Sequence, residues 1–232
     1  MNESDGLDTE REAALERTRQ AYRRYESGSQ SRRWAAREPG SRLALEERNA
    51  WLVQALAGRN VVLDIGCGDG NLALTLDRAG VRPAAYIGTD LLPERIDAAR
   101  SRVPWGTFHV GSADSLPLGD ASVDAVAAVT TLSSIPAELL PAVAAEIARV
   151  LMPGGRLVVY DMRYRSPGNP DVHPVRSDDL SRLFRDWPIR SRTMTLLPPL
   201  ARSALGGSPR RYGFLTSLPW LRSHAGSVLT RP

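Results

Sequence analysis

The chain has 232 residues, and its 30 lysine-plus-arginine positions are all arginine, because the sequence contains no lysine. This composition excludes Schiff-base aldolases and pyridoxal enzymes, which need a lysine amine, and it excludes the Walker phosphate loop. Hydrophobic residues make up 42% of the chain and charged residues 24%, which indicates a globular protein and not a disordered one.

Two helices are predicted before the first strand. Apolar and aromatic residues at helical spacing predict one helix from about Thr9 to Glu26 and another from about Ser41 to Ala57. We therefore expect residues 1–57 to form an N-terminal helical cap and residues 58–232 to form the main domain.

Strands and helices then alternate in the middle of the chain. The apolar run Val61–Ile65 ends in glycines, which is typical of a buried parallel strand. The following predicted elements are a helix at 70–79, a strand at 84–89, a helix at 92–101, strands at 107–110 and 123–129, a helix at 137–151 and a strand at 156–161. This alternation predicts an α/β fold with a doubly wound, Rossmann-like sheet.

The last part of the chain is less regular. Residues 162–221 are predicted to form loops and an insertion, with a helix at 177–185 and a strand at 190–197. Residues 222–231 are predicted to return to the sheet as its last strand.

Charge is distributed unevenly along the chain. Residues 61–161 carry 7 arginines against 12 acidic residues, whereas residues 162–232 carry 12 arginines against 4 acidic residues. An acidic middle followed by a basic end suggests two different ligands, although scattered, solvated arginines would explain the same counts.

A glycine-rich loop is the strongest motif. The segment Asp64-Ile65-Gly66-Cys67-Gly68-Asp69-Gly70 directly follows the first apolar strand and precedes a helix. Alternate glycines allow a tight turn and a close approach of the backbone to a ligand, although a plain strand-to-helix turn would use glycine as well. Asp90, 20 residues beyond Gly70 at the end of the next strand, lies where an acid receives a ribose diol.

These motifs together resemble the class I S-adenosylmethionine-dependent methyltransferases. The first motif reads VVLDIGCGDG, the second YIGTDLLPE, the third VGSADSLPL, and the late strand block RVLMPGGRLVVYD. The resemblance covers about residues 58–161 and implies a seven-stranded, mostly parallel sheet with S-adenosylmethionine as cofactor. The acidic middle segment suits a cofactor whose sulfonium and ammonium groups are both positive.

The resemblance also implies roles for the glycine loop. Gly66, Gly68 and Gly70 would surround the methionine moiety, and Asp64 would lie near its amino group. Asp90 would accept hydrogen bonds from the ribose hydroxyls.

The adenine end and the methyl end are assigned in the same way. Leu91 would pack against the adenine, and Ser112, Ala113 and Asp114 would share adenine recognition, because the acid that many relatives place directly after the glycine of the third motif is replaced by Ser112. Thr130, after the fourth strand, would face the methyl group.

Two residues after the fifth strand are candidates for acid–base chemistry. Methyl transfer needs a general base only when the nucleophile carries a proton of high pKa. Asp161 ends the strand and His173 lies in the loop after it, and each has a purely structural alternative. His109 and His224 are expected to be structural. Three separated histidines and one cysteine, without paired ligand spacing, argue against a metal site.

The N-terminal segment resembles the lid of similar methyltransferases. Its aromatic residues would then cover the cofactor, with packing between helices as the alternative. These residues are Tyr22, Tyr25 and Trp34.

The acceptor is expected to be a small molecule such as a sugar, an antibiotic or another secondary metabolite. Arginines of the basic end could bind an anionic acceptor, or they could serve solubility alone. The candidates are Arg163, Arg165, Arg176, Arg202, Arg210 and Arg211.

Two other classes of function stay open. An RNA or protein methyltransferase could use the basic end, although TTLSS stands where many base-amine methyltransferases carry an N/D-P-P-Y/F motif, so nucleic acid is not the expected partner. A non-catalytic protein that binds S-adenosylmethionine is the third reading.

The polar N-terminus, strand-length apolar runs and lone Cys67 lead us to expect a cytoplasmic protein without a membrane span.

Overall fold

The computed structural model describes residues 3–27, 38–165, 172–203 and 207–232. Two helices, α1 (Glu3–Ser27) and α2 (Pro39–Leu56), precede the sheet. The later helices are α3 (Asn71–Arg78), α4 (Pro93–Arg102), α5 (Leu140–Val150), α6 (Ser177–Leu183), α7 (Pro198–Ala201) and α8 (Pro209–Thr216). The strands are β1 (Val61–Ile65), β2 (Ala85–Asp90), β3 (Thr107–Val110), β4 (Val123–Val129), β5 (Leu151–Met162), β6 (Ile189–Leu196) and β7 (Arg222–Thr230).

The seven strands form one sheet in the order β3-β2-β1-β4-β5-β7-β6. All neighbours from β3 to β5 run parallel, whereas β7 runs antiparallel to both β5 and β6. The predicted mostly parallel, Rossmann-like sheet is therefore confirmed. The chain leaves β1 toward β2 on one side and returns to β4 on the other, so a crevice opens where β1 ends.

Each face of the sheet carries its own apolar core, as the alternation of side chains along β4 illustrates. Ala125 and Ala127 belong to the core under α2, α3 and α4, whereas Val126 and Ala128 belong to the core under α5 and α6. A strand covered on both faces is apolar at nearly every position, and β1 and β4 each have one exception, Asp64 and Asp124.

Strand β5 is longer than the sequence indicates. A strand was expected from residue 156, but β5 begins at Leu151, and its register against β4 shifts between Val123 and Ala125. The segment between Leu151 and Arg156 bulges out of the ladder, with Gly154 at a φ of 75°. The bulge contains the turn residues that had indicated a loop.

Helix α2 packs into the sheet core, while α1 lies over the carboxyl edge of the sheet. Trp51 and Leu52 of α2 belong to the same core as β1 and β5. Ala14 and Leu15 of α1 pack instead against Leu139. The boundary drawn at residue 57 stays a prediction. No helix within the described ranges combines the length and the apolar character needed to cross a membrane.

Replacing Gly226 with alanine should destabilise the protein. A Cβ atom at Gly226 of β7 would lie 2.7 Å from the Trp51 ring, too close without movement of packed side chains. We expect the Gly226→Ala variant to lose about 1–3 kcal/mol in the free energy of unfolding, measured by urea denaturation. Gly119→Ala is the control, because a Cβ there meets nothing within 4 Å. Equal stability of the two variants would contradict this packing.

Candidate active site

The glycine loop has the backbone geometry that the motif predicts. Gly66, Gly68 and Gly70 have φ angles of 68°, 53° and 79°, a region that residues with a side chain rarely adopt. A Cβ atom on Gly66 would lie 2.6 Å from the Thr131 side chain, so a larger residue would also collide there. Glycine at these positions therefore lets the loop turn tightly against Thr131 at the end of β1.

Asp90 ties the end of β2 to this loop. Its Oδ2 atom accepts a hydrogen bond from the Gly68 N–H at 2.9 Å, and its Oδ1 atom accepts one from the Leu92 N–H at 3.0 Å. A carboxylate oxygen can accept more than one hydrogen bond, so these contacts leave Asp90 able to bind a diol. The expected ribose position thus fits the geometry.

Asp64 is a buried carboxyl group beneath the loop. Its Oδ2 atom accepts a hydrogen bond of 2.5 Å from the Tyr86 hydroxyl, while its Oδ1 atom has no hydrogen-bond partner within the described residues. Burial raises the pKa of Asp64 from 3.8 to about 7, although the Tyr86 hydrogen bond opposes the shift. A buried oxygen without a donor fits a cationic ligand such as an amino group.

Asp114 is held by the N-terminal helix. Arg11 of α1 donates from Nε to one carboxylate oxygen at 2.6 Å and from Nη2 to the other at 3.2 Å. Burial alone would raise the pKa of Asp114, but hydrogen bonds from Arg11 and Ser112 outweigh it and lower the pKa. Ser112, Ala113 and Asp114 are all half-buried beside this ion pair.

Helix α1 also covers the neighbouring edge of the second motif. Leu15 packs against Leu91, the residue expected beside the adenine. The guanidinium of Arg95 lies 5.0 Å from the centre of the Tyr22 ring. Trp34 and the side chain of Tyr25 lie outside the described residues.

A cavity of about 550 Å³ begins beside the loop and extends across the ends of β4, β5, β6 and β7. Helices α1 and α2 form its cover. Thr130, at a φ of 55°, is the predicted cofactor residue that lines it. Its other polar or aromatic lining residues are Thr18, Tyr22, Ser41, Arg48, Asn49, Asn71, Thr75, Arg78, Ser133, Ser134, Tyr160, Thr195, Arg202 and His224. Apolar side chains from α2, α3, β6 and α7 complete the wall.

Asp161 lies behind the cavity wall. It is 1% exposed, and its two oxygens accept hydrogen bonds from the N–H groups of Ser133 and Met162. Burial raises the pKa of Asp161 to about 6, and the hydrogen bonds it accepts oppose the shift. The carboxylate therefore holds the turn at Ser133, which itself lines the cavity.

His173 lies next to the same turn. The backbone N–H of His173 donates a hydrogen bond to the Ser133 carbonyl oxygen at 2.9 Å. The buried Nε2 atom of its imidazole has no hydrogen-bond partner within the described residues. Burial lowers the pKa of His173 below its ordinary value of 6.5, so the imidazole is neutral at neutral pH. Neither His173 nor Asp161 is among the residues that line the cavity.

Two of the next three cavity residues, Tyr160 and Arg48, received no role from the sequence, and His224 was expected to be structural. Tyr160 of β5 stacks on His224 of β7 with ring centres 4.7 Å apart, and Arg48 of α2 lines the same cavity. Burial lowers the pKa of His224 to about 3, and the nearby charge of Arg48 adds to the shift. No local pattern could have shown this, because β7 reaches β5 only through the antiparallel return of the chain.

The candidate arginines of the basic end contribute little to the cavity. Of its six candidate arginines, Arg202 is the one that lines it. Arg163 donates to the carbonyl oxygens of Pro219 and Arg222 and so serves the fold. The exposed ones are Arg165, Arg176, Arg210 and Arg211.

The described residues also contain no group of three or more His, Cys, Asp or Glu side chains that could hold a metal ion.

The raised pKa of Asp64 predicts a loss of stability with rising pH. A carboxyl group whose pKa is higher in the folded protein binds more protons there, so its stabilisation fades as pH rises from about 4 to about 7. Asp64→Asn, which cannot ionise, should gain stability relative to the original protein over this range. Urea denaturation at several pH values measures the difference. The exposed Asp77→Asn on α3 should show no such trend; a pH-independent difference for Asp64→Asn would contradict the assignment.

Comparison with known proteins finds similarity to methyltransferases. Residues 62–155 match the family model described as a methyltransferase domain. An uncharacterized methyltransferase of Mycobacterium tuberculosis is 41% identical over 108 residues, which are 46% of this chain and 41% of that protein. An O-methyltransferase of Penicillium expansum is 34% identical over 143 residues, 53% of this chain and 50% of that protein. The chain thus spans about half the length of these curated relatives.

The fold is also found among solved structures. Geranyl diphosphate C-methyltransferase from Streptomyces coelicolor, solved with S-adenosyl-L-homocysteine, superposes with a TM-score of 0.61 at 18% identity, covering 80% of this chain and 77% of that one. Taken with the motifs and the strand order, the family match over residues 62–155 supports identification of the chain as a class I S-adenosylmethionine-dependent methyltransferase.

Proposed function

We propose that this chain transfers the methyl group of S-adenosylmethionine to an oxygen or nitrogen of a small-molecule acceptor. The observation that carries the proposal is the covered cavity, which runs from Asn71 and Thr130 beside the glycine loop to Leu196 and His224 on the far side. Its volume of about 550 Å³ lies within the range of small-molecule sites. A donor at one end and an acceptor at the other can meet there, partly sheltered from bulk water by α1 and α2.

The residues at the end of β1 and β2 fit the cofactor. In this proposal Gly66, Gly68 and Gly70 surround the methionine moiety, Asp64 receives its ammonium group, and Asp90 receives the ribose diol. The orphan Oδ1 atom of Asp64 and the left-handed backbone of the three glycines support this placement. When bound, S-adenosylmethionine supplies an electrophilic methyl carbon on a sulfonium.

The adenine end is assigned to the surface covered by α1. Leu91, Ser112, Ala113 and Asp114 would border the adenine there. Asp114 accepts from Arg11 in the structure, so adenine recognition through its carboxylate has to share that ion pair. Thr130 would lie nearest the methyl group, because it lines the cavity directly after β4.

Catalysis is proposed to depend mainly on holding the acceptor in line with the methyl group. Asp161 positions the Ser133 turn, while His173 is the candidate base for an acceptor that carries a proton. A neutral imidazole with an orphan Nε2 atom beside a residue of the cavity wall supports that role for His173.

The acceptor would come from secondary metabolism and the enzyme would work in the cytoplasm, where the free Cys67 stays reduced.

A macromolecular acceptor has less support. RNA or a protein segment needs an open groove, whereas α1 and α2 cover the cavity, and the exposed arginines of the basic end lie outside it. A non-catalytic role for the fold would leave the acceptor half of the cavity without a purpose.

Cofactor binding can be tested through Asp90. Asp90→Ala removes the acceptors for two ribose hydroxyls, and hydrogen bonds to a charged group contribute about 1.5–3 kcal/mol each, so affinity for S-adenosylhomocysteine should fall at least tenfold. Calorimetry measures the affinity, and circular dichroism checks the fold. Asp97→Ala, an exposed acid on α4, should bind normally. Unchanged affinity in Asp90→Ala would remove the assigned site.

The role of His173 can be tested by a labelled-methyl transfer screen over candidate metabolites. His173→Ala should lose turnover for a hydroxyl acceptor while keeping its affinity for S-adenosylhomocysteine. Turnover of the original protein should fall as pH drops below the lowered pKa of His173, because the protonated imidazole cannot accept a proton. His109→Ala, on β3, is the matched control. Full turnover in His173→Ala would exclude it as the base.

A further inference from the structure

The cavity wall has an unbalanced charge. Among the described residues that line it there are three arginines, Arg48, Arg78 and Arg202, and no aspartate or glutamate. His224 adds no charge at neutral pH, because burial lowers its pKa to about 3. Positive charge in a partly desolvated cavity is unfavourable unless a bound anion compensates it.

Arg48 is the guanidinium most deeply placed in this wall. It projects from α2 near Tyr160 and His224, and burial lowers its pKa. Its Nε and Nη2 atoms donate to the neutral side chain of Asn49 at 3.0 and 2.8 Å. Within the described part of the chain this guanidinium makes no other hydrogen bond and no salt bridge.

The nearest acid in the sequence does not neutralise Arg48. Glu47 precedes it on α2, but its Oε2 atom accepts hydrogen bonds from the Tyr212 hydroxyl at 2.7 Å and the Thr195 N–H at 3.1 Å. Those contacts direct Glu47 into the packing of α2 against β6 and α8. The arginine is left facing the cavity.

The rest of the wall is largely apolar. Leu45, Leu74, Met162, Leu196 and Ala201 contribute hydrocarbon surface around the arginines. A ligand that matches such a wall has an apolar body and one negatively charged group. Arginine suits carboxylates and phosphates in particular, because its planar guanidinium can donate two parallel hydrogen bonds.

We propose that the acceptor is an amphipathic organic anion, a carboxylate or a phosphate, whose charged group pairs with Arg48 while its apolar body fills the cavity. The identification of this ligand as the acceptor rests on the proposed function. Arg48 would then determine specificity, because it binds a part of the acceptor away from the transferred methyl group. The anion would also be attracted to the cofactor's sulfonium.

The test uses a matched pair of fluorescent probes, the anion 8-anilinonaphthalene-1-sulfonate and its neutral counterpart N-phenyl-1-naphthylamine. The original protein should bind the anion more tightly than the neutral probe. Arg48→Gln should weaken binding of the anion at least about tenfold, which is the loss expected for a charged hydrogen-bonded pair, and should leave the neutral probe unaffected. Arg48→Lys should retain part of the affinity. Arg42→Gln, an exposed arginine on the same helix, is the control.

Competition then separates the two anion chemistries. Octanoate and octyl phosphate should both displace the bound anion, and the stronger competitor identifies the preferred group. The neutral 1-octanol should displace it poorly. Displacement by 1-octanol as effective as that by either anion would overturn the proposal, and so would equal binding of the anionic probe by Arg48→Gln and the original protein.

Calorimetry with S-adenosylhomocysteine on the same variants keeps the two proposals distinct. Arg48→Gln should keep its affinity for this ligand. If that affinity falls as much as the affinity for the anionic probe, Arg48 serves the cofactor's own carboxylate and the acceptor proposal fails. If the original protein binds no S-adenosylhomocysteine but shows Arg48-dependent anion binding, the proposed function fails and the anion site stands. If Arg48→Gln does not fold, Arg202→Gln and Arg48→Lys are compared with the original protein in the same binding measurements.

Discussion

The carboxylate of Asp90 connects the parts of the molecule on which the site depends. It lies at the end of β2 and accepts hydrogen bonds from the Gly68 N–H in the glycine loop and the Leu92 N–H before α4. A nearly buried carboxylate is costly unless donors surround it, and these two N–H groups supply them. The same contacts hold the loop in its left-handed glycine conformations, so Asp90 and the three glycines are positioned together.

Electrostatic asymmetry divides the two halves of the active site. The proposed cofactor half contains Asp64, Asp90 and Asp114, which would suit a donor with two positive groups. The cavity is lined by arginine without acid among the described residues. Under the two proposals, a positive donor and a negative acceptor would bind side by side, and α1 and α2 would limit the screening of their attraction by water.

Much of the fold could be predicted from the sequence, because its central strands are covered on both faces. Mostly apolar runs such as Val61–Ile65 and Val123–Val129, each with a single aspartate, mark buried strands, and glycines with a following helix mark the loop. The start of β5 was missed, because the glycines that usually end a strand here form a bulge inside one. The position of α1 was predicted from the family resemblance, but its Arg11–Asp114 ion pair joins residues far apart in the chain and has no sequence signal.

The sequence by itself determined the order of the strands and helices, the glycine loop, and the resemblance to methyltransferases, because these features depend on local patterns of apolar residues, glycines and acids. Only the tertiary structure decided which side chains line the cavity. Arg48, Tyr160 and His224 come from α2, β5 and β7, and they meet because β7 inserts antiparallel beside β5 and α2 packs across both. Contacts between such distant segments follow from packing and strand pairing, which no local pattern of residues records.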